Sequence, residues 1–140
     1  MEFEELISVL IVEHAKMESN LTEVKRAISN RDFSSASRIL KELDDLFKQH
    51  IADEEAQVLR LLIDAYGVKG ADDAIVIFRQ HRPIHDLMEE IKKLASLSIE
   101  QLATSEDRLS RLFEQHTLAE EGRVFPRALS THKERMGATS

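Results

Sequence analysis

The stretch Phe47-Lys48-Gln49-His50-Ile51-Ala52-Asp53-Glu54-Glu55 sets the reading of the whole chain. Residues four apart on a helix share a face, one turn above the other, so His50 and Glu54 project to one side. The apolar residues around them keep the same period. Ile39, Leu40, Leu43, Leu46, Phe47, His50, Leu59, Leu62 and Ile63 mark one face of a helix from about 34 to 65. Asn30-Arg31-Asp32 separates it from what precedes, with Asp32 or Ser34 available as its cap, and Gly67 and Gly70 stop it. The same stretch recurs at an offset of 66 residues as Phe113-Glu114-Gln115-His116-Thr117-Leu118-Ala119-Glu120-Glu121. His116 and Glu120 therefore pair on a later helix as His50 and Glu54 do on the earlier one.

The flanking segments repeat as well. Leu10, Ile11, His14, Met17, Leu21 and Val24 align with Ile77, Phe78, His81, Ile84, Met88 and Ile91 at an offset of 67. The first set belongs to a stripe running from Phe3 through Leu6 and Ile7 to Ile28, a helix over about 2–29. The second belongs to a helix that starts near Asp72, its expected cap, and carries Ile75 through Leu94. Ser98 with Gln101 makes a capping box for the last helix, which carries Leu102, Leu109, Leu112, Phe113, His116, Val124, Phe125 and Leu129. Short connections make consecutive helices antiparallel. The expected fold is all-α: an up-down-up-down four-helix bundle built from two pseudo-symmetric helical hairpins. One domain covers 1–140, with the bundle core over about 2–132 and a frayed polar tail over 133–140.

Composition agrees and excludes several alternatives. Four glycines and two prolines in 140 residues suit long helices better than a turn-rich β fold. Nineteen basic against 26 acidic side chains give a net charge of −7, which argues against a nucleic-acid or anionic-membrane surface. No apolar run is long enough to span a bilayer, and the start is acidic where a secretory signal is basic. A cytoplasmic protein is the expectation. The absence of cysteine excludes disulfides, Fe–S clusters and thiolate zinc sites.

Five of the six histidines fall on apolar stripes: His14, His50, His81, His85 and His116. One histidine so placed is ordinarily a hydrogen-bonded core residue, and one His-x-x-x-Glu is ordinarily an i,i+4 pair on a wet surface. Such an explanation does not extend to the set. Five imidazoles together with Glu54 and Glu120, converging in a core without a charge partner, would be costly. Dications remove that cost. Imidazole plus carboxylate without thiolate suits Fe, Mn, Zn or Cu, and seven donors exceed what one tetrahedral zinc needs, so two metals are implied. Two irons would share Glu54 and Glu120, one carboxylate from each half, leave room for an oxo or hydroxo bridge, and keep one open position for a small molecule. Glu-x-x-His does not occur, which argues against a ferritin-type site, and neither His-Glu-x-x-His nor a glycine-rich phosphate loop is present. His132 reads as a helix-end cation, Tyr66 as a rim residue, and Asp44-Asp45 and Lys92-Lys93 as solvated faces.

On these residues the chain resembles the hemerythrin-like proteins of the HHE cation-binding family. It has two His-x-x-x-Glu-Glu elements, at His50 and His116, a histidine on each of the other two helices, and Val124-Phe125-Pro126 after the second element. The likeness spans about residues 5 to 130. It implies a non-haem di-iron centre in which His81, His85 and His116 hold one iron, His14 and His50 the other, and Glu54 and Glu120 bridge. The chain also departs from the family's pattern. Hemerythrins bridge with an aspartate at the position of Glu121, whereas the internal repeat selects Glu120. Glu18, a further candidate, stands where the repeat puts the counterpart of His85. Pro83, between His81 and His85, is expected to kink its helix and so either aim both histidines at the metal or swing His85 away.

The function implied is reversible binding of dioxygen or a related small ligand such as nitric oxide, in transport, storage or sensing, by a metalloprotein rather than an enzyme. Leu10, Ile77, Phe47 and Phe113 would line the site and keep water out. Redox chemistry on nitric oxide or peroxide, repair of iron centres, and a metal-storage or regulatory module are the alternatives.

Overall fold

In the computed structural model, which describes residues 2–94 and 98–139, four helical rods pack as an all-α bundle, with no strand among the described residues. The side chains of Leu94, Ala138 and Thr139 also lie outside that description. The first rod is α1 (Phe3–Ser29). The second joins α2 (Phe33–Asp53) through a wide π-helical turn, Glu54–Leu59, to α3 (Arg60–Gly70). The third is α4 (Asp72–Phe78) followed by α5 (His81–Leu94). The fourth joins α6 (Ile99–Ala119) through a second π-helical turn, Glu120–Val124, to α7 (Phe125–Thr139).

Rod ends follow the capping chemistry in most places. Asp32 accepts a hydrogen bond from the Ser35 backbone N–H, and Ser98 accepts one from that of Gln101. Gly67 interrupts α3 with φ 74°, a left-handed value that glycine adopts without a Cβ penalty. Asp72 is not the cap of α4. Ala71 holds that position without a side-chain bond, and Asp72 and Asp73 lie in the first turn, where their charge opposes the positive end of the helix dipole. The helix of the fourth rod runs through Thr139. Lys133, Glu134, Arg135 and Met136 are good helix formers and extend it with little burial.

Two apolar layers enclose a polar one. One contains Met17, Leu21, Leu40, Leu43, Phe47, Ile84, Met88, Leu109 and Phe113; the other contains Ile7, Leu10, Val58, Leu62, Ile77, Phe78, Val124, Phe125 and Ala128. Along the first and third rods the second layer comes first, then His14 or His81, then the first layer. Along the second and fourth rods the order is reversed. The histidines therefore sit between two dry layers rather than at an end. Ile11, expected in the stripe, is 39% exposed, while Val58, which regular periodicity passes over, is fully buried. No helix is long and apolar enough to cross a membrane among the described residues.

Candidate metal centre

Buried positions on the second rod advance by a constant four: His50, Glu54, Val58 and Leu62. On the fourth rod the same series is His116, Glu120, Val124 and Ala128, with Thr117 and Phe125 buried beside it. In a regular α-helix of 3.6 residues per turn, each step of four overshoots by about 40°, so such a series would drift off the core face. The wide turns at Glu54–Leu59 and Glu120–Val124 hold more residues per turn and cancel the drift. Both turns begin at the inward carboxylate. The spacing is visible in the sequence and was the available sign of these turns.

The rods bring six side chains together: His14, His50, Glu54, His81, His116 and Glu120, each at most 5% exposed. Their donor atoms form two groups, His14–His50–Glu54–Glu120 and Glu54–His81–His116–Glu120, each with one atom per residue within 4.8 Å of all the others. Both carboxylates belong to both groups. Glu54 directs Oε1 to His50 Nε2 and to His14 Nε2 at 3.6 Å, and Oε2 to His81 Nε2 at 3.4 Å. Glu120 places Oε1 3.0 Å from His14 Nε2 and 3.1 Å from His116 Nε2, and Oε2 3.7 Å from His81 Nε2. All four imidazoles thus turn Nε2 toward the carboxylates.

The outward nitrogens meet a ring of four residues, of which the sequence singled out only Glu121, as an alternative to Glu120 for the bridge; here it lies behind His14 instead. His50 Nδ1 lies 2.9 Å from Glu13 Oε1, and His116 Nδ1 lies 2.9 Å from Gln80 Oε1. His14 Nδ1 faces Glu121 at 3.7 Å, and His81 Nδ1 faces Glu55 at 3.5 Å. Each outer residue is the immediate chain neighbour of an inner one, Glu13 beside His14 and Gln80 beside His81, Glu55 beside Glu54 and Glu121 beside Glu120. That adjacency was the signal. Aromatic rings fix the imidazoles from the sides: His14 stacks on Phe125 at 5.6 Å, and His81 on Phe78 at 5.1 Å. Phe113 meets His14 edge-on and Phe47 meets His81 likewise. Leu10 and Ile77, expected to line the site, are buried in the layer beside it.

The donor set fits a metal. All four Nε2 atoms and all four carboxylate oxygens are buried and have no hydrogen-bond partner. Buried polar atoms are ordinarily satisfied, and eight orphans converging on one place call for a cation. Protein charges alone make a partial substitute. Burial pushes the His14 and His81 imidazoles down, but the Glu120 and Glu54 carboxylates outweigh it and raise both to about 9. Burial likewise pushes the Glu120 carboxyl up, and its contacts with Glu54 and the imidazoles bring it well below the ordinary range.

His85 is not brought to this centre. The helix breaks at Arg79–Gln80, just before Pro83, whose ring nitrogen has no hydrogen to donate. In α5 the inward stripe runs His81, Ile84, Met88 and Ile91, and His85 lies one residue off it, a rotation of about 100°. Its Nδ1 is instead 3.6 Å from Asp44 Oδ1. Asp44, His85 and Glu89 have donor atoms close enough for a metal, but Lys92 already donates to Asp44 Oδ2 at 2.8 Å and to Glu89 Oε1 at 3.1 Å. Lys48 adds a contact to Asp44 at 3.1 Å. Asp44 and Lys92 are therefore not a solvated face: Asp44 is 3% exposed and Lys92 ties α5 to α2 through it. Glu18 is exposed and accepts from the Thr117 hydroxyl at 3.3 Å. Tyr66 packs under Arg127 and shares a hydrogen bond with Thr131, and His132 stacks on Phe3.

The class these observations define is an all-α bundle with a buried His/Glu site able to hold metal. Comparison with known proteins returns no match, neither a family model, nor a curated protein, nor a solved structure.

Proposed function

We propose that the chain is a hemerythrin-like, non-haem di-iron protein of the cytoplasm, an up-down-up-down bundle of two pseudo-symmetric hairpins that binds dioxygen or a related small ligand reversibly. The observation that carries this reading is the convergence of four imidazole Nε2 atoms and four carboxylate oxygens, all buried and unpartnered, into two groups that share Glu54 and Glu120. Carboxylates that belong to both groups suit a bridged pair, and the reversed order of apolar layers on alternate rods supports the topology. His14 and His50 would hold one iron and His81 and His116 the other, with Glu54 and Glu120 bridging and an oxo or hydroxo group completing the pair. Imidazole and carboxylate donors without thiolate suit iron. Two irons held there would supply reversible two-electron chemistry toward a small ligand such as dioxygen.

The protein's own side chains do the rest. With two imidazoles and the two shared carboxylates as its protein donors, each metal would have room for a further small ligand. Phe47, Phe113, Phe78 and Phe125 pack around the imidazoles and keep bulk water from the centre. A surface pocket of about 450 Å³, lined by Glu55, Leu59, Ile75, Phe78, Arg79, His81 and Arg82, reaches His81 and offers a route for a small ligand. The test is metal quantification per chain combined with optical spectra of the protein as isolated, through a cycle of oxygen removal and return. Two irons with a reversible spectral change support carriage or sensing. Irreversible oxidation in the same cycle moves the assignment to redox chemistry, and one zinc with no optical band overturns the di-iron reading.

A further inference from the structure

The outer ring around the candidate centre is unequal on its two sides. Around His14 and His50 it consists of two carboxylates: Glu13 at 2.9 Å from His50 Nδ1 and Glu121 at 3.7 Å from His14 Nδ1. Around His81 and His116 it consists of one carboxylate and one amide: Glu55 at 3.5 Å from His81 Nδ1 and Gln80 at 2.9 Å from His116 Nδ1. Gln80 stands at the repeat position of Glu13, makes the same contact at the same distance, and lacks its charge. Arg79 and Arg82 line the pocket that reaches His81, and at the offset of 67 their counterparts near His14 are Val12 and Ala15, which carry no charge. Both differences make the His81 side less attractive to a cation.

The inner donors are matched, each group having two imidazoles and the same two carboxylates. With the donors matched in kind, the difference in charge lies in the surroundings. An imidazole whose outer N–H donates to a carboxylate is a stronger donor through its other nitrogen than one whose N–H meets an amide, and loss of such a partner typically costs 10–100-fold in metal affinity. We propose that the two metal positions are unequal. The His14–His50 position fills first and holds its ion more tightly, and the neutral Gln80 makes the His81–His116 position the weaker one. This rests on the dinuclear reading above. Its consequence is a half-loaded form with one defined occupant, and a second ion that is the readier to exchange. That weaker position is the one beside the pocket.

The experiment is a zinc(II) titration of the metal-free full chain, followed by ¹⁵N NMR of the imidazole nitrogens and by competition with a chromophoric chelator. The first equivalent is expected to move the Nε2 signals of His14 and His50 and the second those of His81 and His116, with dissociation constants about tenfold or more apart. Gln80→Glu, an isosteric change, should tighten the second constant by about tenfold and leave the first within about twofold. Glu13→Gln should loosen the first by a similar factor. Thermal melts of each metal-free variant establish that it folds. Two zincs bound in parallel, first occupancy at His81 and His116, or constants unmoved by Gln80→Glu overturn the inequality and leave the dinuclear reading standing. A folded protein that takes up neither zinc nor iron(II) overturns that reading itself.

Discussion

Glu54 and Glu120 are each within reach of imidazoles from both groups, whereas each imidazole belongs to one. This asymmetry of roles gives a sharp expectation. If the centre is dinuclear as proposed, Glu54→Ala or Glu120→Ala should each abolish binding of both metals, measured as metal per chain after gel filtration; loss of one only would show that the residue does not bridge. His85→Ala should leave metal content unchanged and cost less than about 1 kcal/mol in denaturant unfolding, because its side chain is partly exposed and its neighbour Asp44 keeps two lysines. At this scale the sequence was informative about the inner residues and, Glu121 apart, silent about the ring behind them. An i,i+4 pair on an apolar stripe signals a buried polar group. Whether an exposed-looking Glu13 or Gln80 turns back to an imidazole on another rod depends on how the rods are rotated, and local periodicity does not encode that.

The wide turns carry the carboxylates of the site, and the α2–α5 contact ties two rods together away from it. The turns begin at Glu54 and Glu120 and keep a strict four-residue series on the core face. Deleting Gln57, which is exposed, would close the first turn to a regular helix and shift the backbone around Glu54. Helical content by circular dichroism should be retained while metal affinity falls by about tenfold. Unchanged affinity would mean that the turn serves packing alone. Between α2 and α5, Lys92 and Lys48 hold the Asp44 carboxyl below its ordinary value of 3.8, even though burial pushes it up. A carboxyl lowered in the folded state contributes stability that is present above 3.8 and is lost as pH falls below it. Asp44→Ala should therefore destabilise by about 1–3 kcal/mol at neutral pH, and less in acid, in urea unfolding compared across pH. The acidic pair at 44–45 reads as surface in the sequence. Only the second helix, arriving with Lys92, makes its first member interior.

For the molecule as a whole, the donors that could hold metal are also the ones that take up protons. In the metal-free protein His14 and His81 are raised from 6.5 to about 9. Between those values the folded state binds more protons than the unfolded state, so stability falls with rising pH. The contribution is complete below about 6.5 and gone above about 9. Chelator-treated protein should accordingly melt at progressively lower temperature from pH 6.5 to pH 9 in scanning calorimetry. Metal-loaded protein should lack this slope and melt higher, since a free ion at a hundredfold excess over its dissociation constant stabilises the fold by about 2.7 kcal/mol. A flat profile for the metal-free protein would show that the imidazoles do not carry the charge of the centre. The placement of the centre between two apolar layers makes this coupling global, because all four rods converge on it.

The sequence by itself determined the helical class, the four rods and their approximate limits, and the candidacy of His14, His50, Glu54, His81, His116 and Glu120. All of these follow from the 3.6-residue period and from the cost of burying unpaired polar groups. Tertiary structure decided the rest. It excluded His85 from the convergence, because a helix break before Pro83 and the stripe of α5 turn it toward Asp44. It also supplied the wide turns at the carboxylates and the outer ring in which Gln80 stands alone without charge. These depend on the relative rotation of one rod against another. Rotation is fixed by packing across the core, between residues far apart in the chain, and a local period carries no record of it.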